Sequence, residues 1–178
     1  MPTSSLPTLT PPPSACRLET FVEHYGDVYE HSPWVAEAAW KKGLTEAHNS
    51  PDALADLMGL MLQQAEPEQQ IAVIQAHPDL AGKAALAGEL TQDSTREQAG
   101  AGLDQCTTDE FARFEHLNTA YKEKFGFPFV IAVKGLDRHA ILAAFEKRLN
   151  NDLAEERKTA IEQIIRIARF RLRARVEQ

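Results

Sequence analysis

Residues 121–133 read YKEKFGFPFVIAV, and the fold class turns on them. Up to Phe125 the stretch closes an amphipathic helix. Phe111, Phe114, Leu117, Tyr121 and Phe125 recur at three- and four-residue spacing, which places them on one helical face. Gly126 suits the position after a helix, where the backbone turns left-handed. The next seven residues, FPFVIAV, are apolar, partly β-branched and too short for a helix, so they read as a buried extended segment. No other part of the chain looks strand-like, and no sheet is available to pair this one. The expected fold class is therefore all-α: a single-domain irregular bundle of about seven to eight helices with one short extended apolar segment. The backbone N–H and C=O groups of that segment need partners. It is core by composition, yet an amide- or ureide-rich ligand could also satisfy those groups.

Towards the C-terminus, Asp137 is placed to cap a helix carrying Ile141, Leu142, Phe145 and Leu149. A last long helix runs from about residue 152 to 176. At 100° per residue, Ile161, Ile164, Ile165, Ile167, Ala168 and Leu172 define its apolar face, and Arg171 falls inside that arc. A guanidinium facing the core needs a partner, because burying it alone is very costly. That partner is either an internal Asp or Glu, or a ligand carboxylate or planar carbonyl gripped bidentately. Arg166, Arg169 and Arg173 point away from the face and read as solvated.

Towards the N-terminus the helices follow one another closely. Ser32-Pro33 and Ser50-Pro51 are helix starts, with serine as N-cap and proline at the first helical position. Pro67 opens a further helix with Ile71 and Ile74 inward. It must stop by His77, since the residue before Pro78 is pushed out of the α region. The glycine-bearing stretch from residue 78 to 88 has alanines enough for a short helix. Ser94-Thr-Arg-Glu97 has the capping-box pattern, and Thr107 with Glu110 repeats it. Residues 1–15, rich in Pro, Ser and Thr, read as a disordered tail, with the domain covering 16–178.

The whole-chain properties exclude several function classes. The length, 178 residues, suits one domain with a proper core. A net charge of -7 and a pI near 5.4 disfavour non-specific nucleic-acid binding. The Arg-rich end, residues 166–175, could argue for it only against that balance. Cys16 and Cys106 form no CxxC pair, and the six histidines include no i,i+4 pair, so no metal is expected. HExxH, GxSxG, the P-loop and GxGxxG are all missing from the sequence. No apolar run reaches bilayer length, so no membrane partner is expected. The N-terminus lacks a signal-peptide pattern and the last residues lack the peroxisomal tripeptide, which points to a reducing cytoplasm.

Candidate chemistry gathers around AHPDLAGK at residues 76–83 and STREQ at 94–98. His77 ends an apolar helix beside a rigid proline, where the helix terminus favours a protonated imidazole. On position alone it reads first as a histidine that caps a terminal carbonyl. Ser94, Glu97 and Gln98 open a helix, and helix N-termini hold anions. With Arg171, these residues fit either an enzyme or a non-catalytic helical module that binds a small anionic ligand.

HPDLAGK, STREQ, YKEKFGFPFVI and the terminal Arg171-Leu172 together resemble the OHCU decarboxylase family, over about residues 18–172. Members decarboxylate 2-oxo-4-hydroxy-4-carboxy-5-ureidoimidazoline (OHCU) to (S)-allantoin in urate degradation. The resemblance implies a cofactor-free, all-helical carboxy-lyase, commonly a homodimer, and the missing peroxisomal signal fits a bacterial, cytoplasmic type. It implies His77, Glu97 and Arg171 as catalytic residues. It implies Pro78, Ser94 and Gln98, with backbone groups of Phe129, Val130, Ile131, Ala132 and Val133, as the substrate lining.

Overall fold

The computed structural model describes residues 7–82 and 88–176, and every regular element among them is helical. The helices are α1 (Leu18–Tyr25), α2 (Trp34–Lys42), α3 (Pro51–Gln63), α4 (Pro67–Gln75), α5 (Gln92–Gly100), α6 (Thr108–Phe125), α7 (Arg138–Arg148) and α8 (Leu153–Val176). The expected short helix after Pro78 falls largely on residues 83–87, outside the described residues. The all-α class is as read from the sequence. The described residues cluster into two compact units: those of Met1–Val73 with Ile165–Gln178, and those of Ile74–Ile164. The division runs through α4 and α8. Both are continuous helices, so no linker composition marks it.

The first unit packs α1, α2 and α3 with the end of α8. Phe21, Tyr25, Tyr29, Val35, Leu54, Met58, Leu62, Ala168 and Leu172 are its buried core. Gly59 allows α3 to approach α8, because a Cβ there would lie 2.9 Å from Ile165 Cγ2. Of the arginines expected to be solvated, Arg166 is exposed, whereas Arg169 and Arg173 are ion-paired, as is Arg175 beyond them. Arg169 meets Asp56, Arg173 meets Asp52 at 2.7 Å, and Arg175 meets Asp27 at 2.6 Å. The Arg-rich end is thus neutralised by acidic neighbours, consistent with the acidic balance of the chain.

Residues 7–15 also differ from the disordered tail expected of their composition. Leu9 is buried and its amide donates to the Asn49 carbonyl at 2.8 Å. Pro11 accepts from the Tyr25 hydroxyl at 2.6 Å, and Pro13–Ala15 form a 3-10 turn. Proline-rich sequence loses little chain entropy on ordering, and Leu9 and Pro13 supply apolar surface to bury.

The second unit is built round α6. Its N-terminus has the predicted capping box: the Glu110 amide donates to Thr107 Oγ1 at 3.1 Å, and the Thr107 amide to Glu110 Oε1 at 2.9 Å. Its C-terminus ends on Gly126 at φ +79°. Tyr121 lies 4.5 Å from Phe125, 5.5 Å from Phe129 and 5.8 Å from Phe145, ring centre to ring centre. Residues 128–133 are extended and join no strand. They pack on α7, where Phe129 stacks on Phe145 at 3.9 Å.

Candidate functional site

The loop that follows α4 carries the histidine. α4 ends at Gln75, and the His77 amide still donates to the Ile74 carbonyl at 3.2 Å before Pro78 breaks the pattern. His77 is buried, with 8% of its surface exposed. The residues after Pro78 are held by side chains from two helices. Gln98 of α5 accepts from the Ala81 amide at 3.0 Å and donates to the Asp79 carbonyl at 3.3 Å. Asn118 of α6 donates to the Leu80 carbonyl at 3.0 Å, and Lys122, one turn on, pairs with the Asp79 carboxylate at 2.7 Å. Ala81 adopts φ +50°, a left-handed conformation uncommon for a residue with a Cβ. The Gln98 contact to its amide is made at that residue.

α5 begins earlier than the capping box suggested. Its N-cap is Thr91, whose hydroxyl accepts from the Ser94 amide at 3.2 Å. Ser94 is the third helical residue, three positions inside the helix mouth expected of it. Both Thr91-x-x-Ser94 and Ser94-x-x-Glu97 match a hydroxyl cap, and the sequence pattern does not choose between them. The shift puts Ser94 and Gln98, four residues apart, on one buried face. Glu97 stands half-buried beside them. The structure therefore brings Gln98 directly onto the loop that starts at His77 and Pro78, with Ser94 on the same face of α5. A cavity of about 530 Å³ lies against Ala81, Leu90, Gln98, Leu103 and Phe111.

The extended segment is anchored by residues that sequence reasoning missed. The Val130 carbonyl accepts from Arg148 Nη1 at 2.7 Å, and the Ala132 amide donates to Gln163 Oε1 at 2.9 Å. The Val133 carbonyl accepts from the Leu136 amide at 2.9 Å. These three groups are thus met by the protein itself. Phe129 is buried under the Arg148 guanidinium, 4.4 Å from ring centre to Cζ, and Ile131 is half-buried. Arg148 in turn grips Glu156, which has no exposed surface, through Nε at 3.0 Å and Nη2 at 2.8 Å. Asn151 donates to the same carboxylate at 2.9 Å, and the Tyr121 hydroxyl also donates to it. Burial, and then this bond to Glu156, push the Tyr121 phenol well above its ordinary range. The network holds the backbone of the segment at the Val130 carbonyl.

Arg171 belongs to the first unit. It is buried, as its place on the apolar arc required, and its Nη2 donates to Glu30 Oε1 at 2.9 Å. Nη1 reaches the Val28 carbonyl at 3.4 Å. Of the two partners expected, the internal carboxylate is present: Glu30 is itself 2% exposed. Glu30 lies in a loop with no periodicity, so no sequence signal marked it. Asn118, Arg148 and Glu156 did carry a signal. Each is a polar residue on the apolar stripe of its helix, with Phe114 and Tyr121, with Ile141 and Phe145, and with Ala160 and Ile164 respectively.

Fold and loop together define the class: an all-helical protein that carries a buried imidazole on a loop strapped to two neighbouring helices. The comparisons then make it specific. The chain belongs to the OHCU decarboxylase family, whose model matches residues 14–173. It is 40% identical over 157 residues to the 2-oxo-4-hydroxy-4-carboxy-5-ureidoimidazoline decarboxylase of Haloferax volcanii, covering 88% of this chain and 89% of that one. It is 41% identical to the same enzyme of Amia calva, covering 86% of each. A crystal structure of (S)-allantoin synthase superposes with a TM-score of 0.71 at 29% identity, over 92% of this chain and 52% of that chain. These relatives come from an archaeon and a fish as well, so they do not single out the bacterial type expected above.

Proposed function

We infer that this protein is a carboxy-lyase that converts OHCU to (S)-allantoin in urate degradation. The family match over nearly the whole chain carries the reading. The strapped His77 loop supports it, because a loop fixed by three side chains can hold an imidazole in one place. The reaction breaks one C–C bond and releases CO2. The electron pair stays on the ring as a carbanion of enolate character, and a proton must then arrive on a single face. Such an enzyme needs polar groups where the charge develops and an acid near the carbon.

In this reading His77 assists departure of CO2 or the protonation, and Glu97 acts with it on the hydroxyl and carboxylate end of the substrate. Both residue types are suited to proton transfer. Pro78, Ser94, Gln98 and the backbone of residues 129–133 are proposed to line the substrate. Arg171 is proposed to orient it, and its exchange for lysine tests that role separately. A homodimeric, cytoplasmic state without cofactor follows from the resemblance alone. Among the described residues, no helix is long and apolar enough to cross a membrane.

The test is stereochemical. OHCU is generated in situ from urate with urate oxidase and hydroxyisourate hydrolase, and circular dichroism is followed with and without the protein. A rapid, persistent signal of (S)-allantoin, lost in His77→Ala, is the expected result. No change with a folded protein would overturn the assignment and leave a ligand-binding module.

A further inference from the structure

We propose that Asn118 is a positioning residue for the reaction, acting on His77 through the loop. This inference rests on the reading of His77 as catalytic. Asn118 is 5% exposed and sits in the middle of α6, on the stripe that also carries Phe114 and Tyr121. An apolar residue would ordinarily occupy such a position, since a buried amide without partners is costly. Its Nδ2 donates to the Leu80 carbonyl, three residues beyond His77. Its Oδ1 is buried and has no hydrogen-bond partner among the described residues. The donor end is therefore the part of this side chain that the fold employs. The bonds from Gln98 fall on the residues either side, the Asp79 carbonyl and the Ala81 amide. Gln98 alone leaves the Leu80 carbonyl unmet. Asn118 fixes it from α6, so the Leu80–Ala81 peptide is held at both its carbonyl and its amide while Ala81 keeps its left-handed backbone. Releasing that carbonyl lets the loop rotate about Pro78, and the imidazole moves with it. A misplacement on the order of 1 Å can cost roughly 100-fold in rate.

The decisive variant is Asn118→Asp, which keeps the shape and exchanges the donor for a titratable group. Ionised, the new carboxylate faces the Leu80 carbonyl oxygen with no proton to give. Protonated, it donates again, and burial raises the pH at which it protonates. Asp79, Glu115 and Lys122 line the same cavity as Asn118, so the profile is read as a ratio to the unsubstituted enzyme. The expected result is a kcat lowered by about tenfold or more at pH 8 with KM little changed, recovering to within about threefold near pH 5.5. Asn118→Leu should show the loss at both pH values, and its Ala81 amide should exchange hydrogen faster.

Equal loss in both variants without recovery at low pH would overturn the proposal, and so would unchanged kcat in a folded Asn118→Asp. A rise in KM alone would overturn it too, by placing the effect on binding. Turnover surviving in His77→Ala would instead sink the catalytic reading of His77. Faster Ala81 exchange in Asn118→Leu would then still show the strap at work.

Discussion

Replacing Glu156 with leucine tests how the buried network supports the segment proposed to line the substrate. In the native chain the Glu156 carboxylate accepts from Arg148, Asn151 and Tyr121 and is wholly shielded from water. Remove it, and the Arg148 guanidinium stays 8% exposed with the Val130 carbonyl and the face of Phe129 for company. Neither carries a full negative charge. Breaking a buried pair from one side costs about 3–5 kcal/mol. That is a large part of the roughly 5–15 kcal/mol that separates folded from unfolded chains of this kind. With a urea slope of about 2 kcal/mol per molar, the midpoint should fall by about 2 M. Far-UV circular dichroism is the right probe, because both tryptophans, Trp34 and Trp40, lie on α2 and report on the first unit. The double exchange Arg148→Met with Glu156→Leu removes both charges together and should restore much of the loss. A single variant that loses under about 1 kcal/mol would refute the reasoning, as would a double variant no better than the single one.

Two further outcomes follow from local geometry. Thr91→Ala should lower stability by about 1 kcal/mol, read from the urea midpoint, because it removes the N-cap of α5; an unchanged midpoint would return the cap to Ser94. All three tyrosines of the chain are held neutral by burial, with Tyr25 pushed up to about 12 from an ordinary 10.0 and Tyr29 and Tyr121 raised further. A folded pKa above the unfolded one gives stability that is complete below pH 10 and declines as pH climbs towards the folded value. Unfolding free energy should therefore drop above pH 10, by about 1.4 kcal/mol per pH unit for each phenol still neutral in the fold. Tyrosinate absorbance appearing at pH 10 in folded protein would contradict it.

The sequence disclosed the parts of this fold that depend on periodicity and missed those that depend on exact partners. The α6 stripe, its capping box, Gly126 and the lone extended segment were all legible, because each is a local pattern with one physical solution. The inward direction of Arg171 was legible for the same reason, but Glu30 was not, since a loop carries no period. The cap of α5 was ambiguous because two overlapping hydroxyl patterns compete and only tertiary burial of Ser94 and Gln98 decides between them. Composition misled for residues 7–15, where Leu9 and Pro13 find a surface that no count of prolines reveals.

The constraint that turns Arg171 towards a partner holds on every apolar helical stripe. A polar side chain on an apolar helical stripe must have a partner, because the alternative is a buried, unsatisfied group. Applied to α6, α7 and α8 it marks Asn118, Arg148 and Glu156 from the sequence alone. Asn118 and Arg148 each find a partner in one of the two backbone segments, residues 79–81 and 129–133, that flank the proposed chemistry, and Glu156 holds Arg148 in place. Polar residues held in the core of this chain are thus spent on loop geometry. With no sheet among the described residues to align those segments, the bundle finds their rigidity in such side chains.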